Sequence, residues 1–293
     1  MLSYKIDFLK YRYMCFAVSA LLLVFGLILY FAKGGFKYSI DFVGGAEIRA
    51  SFQEPIKAND LRSALSKKGW QDYNLQSVGN TDKEYFIRVS GQIKNLEEKF
   101  SQDIKSEISS NKMTIENIDF VGAEVGKEMQ SNALIAIVLS LIVLLGYITI
   151  RSKYAYAVGA VVALVHDLLA VLVFLLLFNE LISINILAAI LSILGYSLND
   201  TIVIFNRIRE NLKKHKDMSS NELVNLSINQ TLTRTLLVSF STLLGVLSFY
   251  VFGGEVLRGF SFAMLVGIVV GTYSSIYIAS PIMIIFGGLS SKR

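Results

Sequence analysis

Apolar positions along this chain gather into six long runs, at residues 13–32, 133–150, 155–178, 181–205, 236–252 and 260–287. Each supplies roughly the 20 residues a helix needs to cross a bilayer of about 30 Å. The pattern therefore predicts six transmembrane helices. Between the first and second runs lies a polar segment, residues 34–128, whose period changes several times. Residues 36–42 and 46–52 read as strands, and Pro55 opens a helix over 57–68 that keeps Leu61, Ala64, Leu65 and Lys68 at helical spacing before Gly69 closes it. Residues 73–78 and 84–89 form a strand pair across a turn at 79–82. A second helix covers 94–109, with Leu96, Phe100, Ile104 and Ile108 on one face, and a strand at 113–121 closes the set. After an extra leading strand the order is βαββαβ, which predicts a ferredoxin-like α+β sandwich.

The division that follows is residues 1–33 for the N-terminus and first span, 34–128 for the α+β domain, and 129–293 for spans 2–6. Within the last part, residues 221–230 look amphipathic, with Leu223, Leu226 and Gln230 on one face, and are expected to lie along the membrane surface. Pro281 is expected to kink the final turns. No inverted repeat is visible, so the chain reads as one half of a larger transporter-like assembly.

Composition turns this pattern into a membrane assignment: of 293 residues 53% are hydrophobic, and the mean hydropathy is +0.53. The net charge of +5 adds orientation. Lys and Arg of the short connections cluster before the first run, at Arg151 and Lys153, between Arg207 and Lys216, and at Lys292 and Arg293. The loops around Asn179–Glu180 and 253–258 carry little positive charge. Both termini are thus expected in the cytoplasm and the α+β domain on the opposite side of the membrane. The basic clusters are accounted for by topology and anionic lipid, without nucleic acid. The first run follows Lys5, Lys10 and Arg12 like a signal peptide, but its length and Tyr30, three residues before a cut after Ala32, favour an uncleaved anchor.

The sole cysteine, Cys15, lies in the first run, so the α+β domain folds without disulfides. No metal site, cofactor motif or GxxxxGK[ST] loop is visible, and the α+β domain has no nucleophile–base constellation. It is not expected to be an enzyme. Its role is contact with extended polypeptide, at a sheet edge or an apolar groove, or that of a spacer that packs on a partner subunit.

Outside residues 34–128 the acids are Asp7, Asp167, Glu180, Asp200, Glu210, Asp217, Glu222 and Glu255. Only Asp167 and Asp200 lie inside apolar runs. Asp200, with Asn199 beside it, interrupts the segment GYSLNDTIVIFNRIRENL at 195–212. A charge at bilayer depth costs roughly 2.5–3.5 kcal/mol, so Asp200 must face protein or a wet cavity, either as a titrating ion-relay group or as a helix-packing polar residue. Arg234 begins a stripe of Val238, Ser241, Gly245 and Ser248 that could face Asp200. Snorkelling from the membrane edge explains Arg234 equally well. His166 precedes Asp167; the two are secondary relay candidates or a structural pair. Gly267 and Gly271 form a GxxxG pair followed by Thr272, Tyr273, Ser274 and Ser275, whose default reading is close helix packing.

At these residues the sequence resembles the SecF family, the smaller subunits of the SecDF protein-export complex in the RND superfamily. The resemblance is carried by DFVGG at Asp41, Phe42, Val43, Gly44 and Gly45, by VHD at Val165–Asp167, and by YSLNDTIVIFNRIREN at 196–211. NQTLTRT at 229–235 and GTYSSIYIASPI at 271–282 extend it. Where the family pattern usually has Asp before RIREN, this chain has Asn206. The resemblance implies a six-span RND/SecDF-type subunit that pairs with SecD, associates with SecYEG and with YidC/YajC-type factors, and contacts translocating unfolded polypeptide and membrane lipid. It implies that Asp200 and Arg234 belong to an ion relay, driven by protons or sodium, together with an aspartate from SecD; protonation and deprotonation of Asp200, biased by Arg234, is then expected to shift the spans and move the external domain. A passive scaffold for SecD, without ion coupling of its own, is the alternative.

Overall fold

The computed structural model describes residues 6–70, 73–78, 82–89, 96–107 and 112–287. Two compact units emerge: Tyr38–Ala133, and the described part of Met1–Lys37 with Leu134–Arg293.

The first unit contains β1 (Gly45–Phe52), β2 (Tyr73–Val78), β3 (Glu84–Val89) and β4 (Met113–Val121) in one antiparallel sheet of order β2-β3-β1-β4. Alternation decides its two faces. Ala46, Ile48, Ala50 and Phe52 of β1 and Tyr85, Ile87 and Val89 of β3 are buried. Leu61, Ala64 and Leu65 of α3 (Ala58–Lys67) and Phe100 and Ile104 of α4 (Leu96–Glu107) join them in one core. Trp70 closes it, its ring edge-on to Phe100 and its Nε1 donating to Asp103 Oδ2 at 2.9 Å. The intervening strand positions carry charge: Arg49 reaches Glu84 at 2.7 Å and Glu116 at 2.8 Å, and Arg88 pairs with Glu47. The expected turn residues 79–81 and Ile108 lie outside the described residues.

The extra leading strand is not formed. Residues 40–43 make a single helical turn, α2 (Ile40–Val43), because Ser39 is extended and its carbonyl accepts from the Phe42 and Val43 amides, while Ser39 Oγ donates to Asp41 Oδ2 at 2.8 Å. Gly44 then leaves the helix at φ 73° and Gly45 follows at φ 132°, conformations that L side chains resist.

Six helices long and apolar enough to cross a membrane are found among the described residues. They are α1 (Arg12–Ala32, entered by a short 3-10 turn), α5 (Ala123–Arg151), α6 (Tyr154–Phe178), α7 (Ile184–Lys214), α8 (Ser220–Phe252), and the last span, made of α9 (Gly254–Ser274), a π-helical stretch (Ser275–Ala279) and α10 (Ser280–Ile285). Helices α6, α7 and α9 form the buried centre, whereas α1, α5 and α8 display exposed apolar residues such as Leu21, Ile142 and Phe249. Pro281 sits in the first turn of α10, after the π-helical stretch rather than at a lone kink, and Ser280 Oγ donates back to Ser275 O at 3.0 Å.

Residues 221–230 do not lie apart along the membrane surface. They are the first turns of α8, begun by a capping box in which Ser219 and Glu222 satisfy each other's backbone. Leu223, Val224, Ser227 and Ile228 are buried, and Asn211 of α7 donates to Ser227 Oγ and Gln230 Oε1, both at 2.8 Å. On another face, Asn225 and Asn229 accept from the Leu9 and Ile6 amides of the N-terminal segment. An amphipathic pattern has here been spent on protein contacts at both flanks.

Candidate functional site

Helix α7 is opened by Ser183, whose Oγ accepts from the Ile186 amide. Its core-facing positions include Ile186, Ile190, Ile193, Ser197, Thr201, Ile204 and Ile208, and Asp200 falls within that stripe. The carboxylate is 3% exposed. Ser239 Oγ of α8 donates to its Oδ2 at 3.3 Å and lies 2.9 Å from Thr272 Oγ1 of α9. Tyr196 Oη reaches Ser239 Oγ and Thr242 Oγ1 at 3.5 and 3.3 Å. Asp200 thus sits where three helices meet, with one long hydroxyl contact.

No hydrogen bond or ion pair joins Arg234 to Asp200 among the described residues, and the Arg234 side chain is exposed. The stripe expected beside Asp200 is turned away as well: Val238, Ser241, Gly245 and Ser248 are exposed. Thr235, Ser239 and Val246 are buried instead. The difference is one residue, or about 100° of helix rotation. Asn199 shares the same fate on α7, where it is exposed while its neighbours Leu198 and Asp200 are buried. Asn206 accepts from Arg209 Nη2, which ties the place of the missing carboxylate to the helix's own basic end.

A second carboxylate is buried more completely. Asp167 of α6 is 0% exposed and accepts at Oδ2 from Ser197 Oγ of α7 (2.5 Å) and Ser274 Oγ of α9 (2.9 Å). His166 turns its Nδ1 to Asp167 Oδ1 at 3.2 Å and its Nε2 to Ser19 Oγ of α1 at 3.0 Å. Ser19 is 3.0 Å from Tyr273 Oη, which donates to the Cys15 carbonyl at 2.8 Å. The two carboxylates are linked structurally, since Ser197 and Asp200 are three residues apart on α7, and Thr272 and Ser274 two apart on α9. The structure brings together His166, Asp167 and Asp200 in one buried centre; Asn199 and Arg234 stand at its outer face.

The hydroxyls Ser19, Ser197, Ser239, Thr272 and Ser274 were not singled out as partners in the sequence. The available signal was the polar run at 272–275 after the glycine pair. Gly267 and Gly271 do serve close packing: a Cβ on Gly271 would lie 2.9 Å from Ser197 Cβ, and one on Gly267 2.4 Å from Ile193 side-chain carbons. The same approach brings the hydroxyls to the carboxylates. No group of three or more His, Cys, Asp or Glu residues able to hold a metal ion occurs among the described residues.

Comparison with known proteins gives this centre a family. Residues 101–288 match the family described as "Protein export membrane protein SecD/SecF, C-terminal". Protein translocase subunit SecF of Calditerrivibrio nitroreducens is 38% identical over 98% of this chain and 96% of its own length; that of Petrotoga mobilis is 39% identical over 99% and 97%. The chain belongs to the SecF family. The SecF of Escherichia coli O157:H7 is 36% identical, with 96% of this chain and 88% of that protein covered. The crystal structure of SecDF, a translocon-associated membrane protein from Thermus thermophilus, matches with a TM-score of 0.87 at 35% identity. The match covers 96% of this chain and 38% of that longer one, so the SecF-like part accounts for little more than a third of it.

The DFVGG segment, with Asp41, Phe42, Gly44 and Gly45, packs closely within its own unit. A Cβ on Gly44 would come 2.5 Å from Ala123 Cα, and one on Gly126 would meet Gly44 N at 2.8 Å and Phe42 O at 2.9 Å. Two glycines in α2's exit and α5's first turn thus let backbone meet backbone.

Proposed function

We propose that this SecF-family, multi-pass membrane chain pairs with SecD as a subunit of a translocon accessory complex, and that protonation of Asp200 couples an ion gradient to late protein export. The observation that carries the reading is the burial of Asp200 at a three-helix junction within an apolar span, with one hydroxyl contact at 3.3 Å. A carboxylate buried in an apolar span is costly when charged, so its proton is exchanged only where the packing around it changes. Small helix movements supply that change, and a unit of pKa is about 1.4 kcal/mol.

Arg234 and Asn199 are the relay's members on the exposed side of the bundle, the side left to be covered by SecD, which supplies the remaining carboxylate. The proton-motive force drives the cycle, and the complex sits in the bacterial inner membrane with both termini in the cytoplasm, as the basic residues indicate. SecYEG delivers the polypeptide, and YidC/YajC-type factors share the assembly. The protein is a transport subunit rather than an enzyme. The α+β domain is periplasmic and ferredoxin-like, a reading supported by its βαββαβ order and its antiparallel β2-β3-β1-β4 sheet. Its edge strands β2 and β4 are open to strand addition by extended polypeptide.

The test is the export rate of a presecretory protein into inverted membrane vesicles carrying this chain and its SecD, with wild type compared with Asp200→Asn across an imposed proton gradient. Acceleration by the gradient only in wild type, at equal subunit levels, supports the coupling. The scaffold reading draws on the same contacts, since Ser239 and Thr272 join Asp200 to two further helices. Equal acceleration in both proteins would establish it.

A further inference from the structure

We infer that the His166–Asp167 pair holds one proton more than a neutral imidazole beside a carboxylate, and that this buried proton completes the hydrogen-bond chain binding α1 to the centre of the bundle. Four contacts run in series: Tyr273 Oη to Cys15 O (2.8 Å), Ser19 Oγ to Tyr273 Oη (3.0 Å), His166 Nε2 to Ser19 Oγ (3.0 Å) and His166 Nδ1 to Asp167 Oδ1 (3.2 Å). Each contact at such a distance needs its own hydrogen.

A backbone carbonyl only accepts, so Tyr273 commits its single hydroxyl proton to Cys15. Ser19 must then donate to Tyr273, which leaves the Ser19 oxygen to accept from His166. Nε2 therefore carries a hydrogen. A neutral imidazole has only one N–H, so its Nδ1 would face a carboxylate oxygen lone pair to lone pair. Tyrosine, serine and neutral histidine bring one proton each to a series that needs one more.

The missing proton resides either on Nδ1, as imidazolium beside carboxylate, or on Oδ1, as carboxylic acid beside imidazole. Oδ2 is already occupied by Ser197 and Ser274 as donors, which directs the proton to the His166 side. Both forms of the pair are neutral overall. That suits residues 7% and 0% exposed inside an apolar span, whereas the deprotonated pair would bury a net negative charge.

The groups facing the pair are Ser19 and Cys15 from α1, Ser197 from α7 with Asp200 one turn beyond, and Tyr273 and Ser274 from α9, with Tyr277 against the Tyr273 ring. The titratable ones are Cys15, Asp200, Tyr273 and Tyr277. Removal of the proton leaves one link without a hydrogen, and three of the four links are made with α1, the span that leads in sequence into the α+β domain. The inference deepens the proposed ion coupling and rests on it only for how the proton is used; the proton count stands apart from it.

The chain has two histidines, and His215 is an exposed residue at the C-terminal end of α7, so His215→Gln leaves His166 as the only one. The full-length variant, labelled with 15N-histidine in lipid nanodiscs at pH 7, reports the protonation of both ring nitrogens. The expected result is a protonated Nε2 together with either a protonated Nδ1 or a carboxylic-acid carbonyl absorption that Asp167→Asn removes. If the Asn variant does not fold, Asp167→Glu should shift that absorption. A bare Nε2, or a protonated Nε2 and bare Nδ1 with no carboxylic-acid absorption, overturns the inference. Such a failure would leave Asp200-dependent export standing, and loss of Asp200 coupling in the export assay would leave the proton count standing.

Discussion

Gly271 of α9 and Ser197 of α7 approach so closely that a Cβ on the glycine would stand 2.9 Å from Ser197 Cβ and 3.0 Å from its Oγ. Ser197 also donates to Asp167, so the spacing of these two helices and the hydrogen bonding of the buried carboxylate are set together. Gly271→Ala should destabilise the bundle by about 1–3 kcal/mol, the usual cost of overpacking a tight core. Ser197→Gly removes the atoms in the way. The double variant should therefore be more stable than the sum of the single changes predicts, and thermal melts of the four proteins in one detergent check this cycle. Additive effects would show that the helices relax apart without strain.

Two buried hydroxyls bear a cost that the structure does not repay. Among the described residues, Ser261 Oγ and Thr235 Oγ1 have no hydrogen-bond partner although the residues are 0% and 2% exposed. Leaving such a group unsatisfied costs about 1–3 kcal/mol, so Ser261→Ala and Thr235→Val should each be neutral or stabilising in the same melts. Ser274→Ala is the contrast, since its hydroxyl serves Asp167, and it should lower the midpoint.

Asn211 is 2% exposed and its amide joins α7 to both Ser227 and Gln230 of α8. Asn211→Ala strands these partners and should cost about 1–3 kcal/mol. The loss is local to the α7–α8 connection, so limited proteolysis between residues 215 and 219 should accelerate before the whole chain melts. A cleavage rate equal to that of wild type would show that the capping box alone holds the connection.

The spans were legible because a membrane demands a length and composition that few other folds require. The α+β sheet domain was legible because strand alternation and helical spacing switch cleanly within residues 45–121. What periodicity could not supply was rotation. At α8 the stripes beginning at Arg234 and at Thr235 are both plausible from the sequence, and only the packed partner, Asp200, selects Ser239 over Val238. Helix α2 departs from the expected strand for a related reason: 36–42 has strand-forming residues, but the turn is decided by Ser39 and the two positive-φ glycines that follow. Residues 221–230 were amphipathic as expected, yet the hydrophobic face met α7 instead of lipid. Asp200 and Asp167 stood out because a charge within an apolar run has few explanations, whereas the serines that hold them are as common in plain helix packing.

The α+β domain offers a pH test with a local reporter, because Trp70 is the only tryptophan of the chain and lies in that core. Tyr85 is 0% exposed, and its hydroxyl donates to the Ile56 carbonyl. Burial, with Asp82 nearby, pushes its pKa above the ordinary tyrosine value. An unfolded chain releases this proton near pH 10, while the folded one retains it to higher pH. Between those two values the native state binds more protons than the unfolded state, so stability falls as pH rises; below that window the contribution is constant. Tyr85→Phe keeps the ring packing but leaves the Ile56 carbonyl unpaired, which should cost about 1–3 kcal/mol at pH 7. The same change removes the proton, so the penalty of the variant relative to wild type should shrink as pH is raised past 10. Denaturant unfolding followed by Trp70 fluorescence at pH 7 and at several alkaline values measures both quantities. A penalty that stays constant across the alkaline range would show that Tyr85 ionises alike in the folded and unfolded chains.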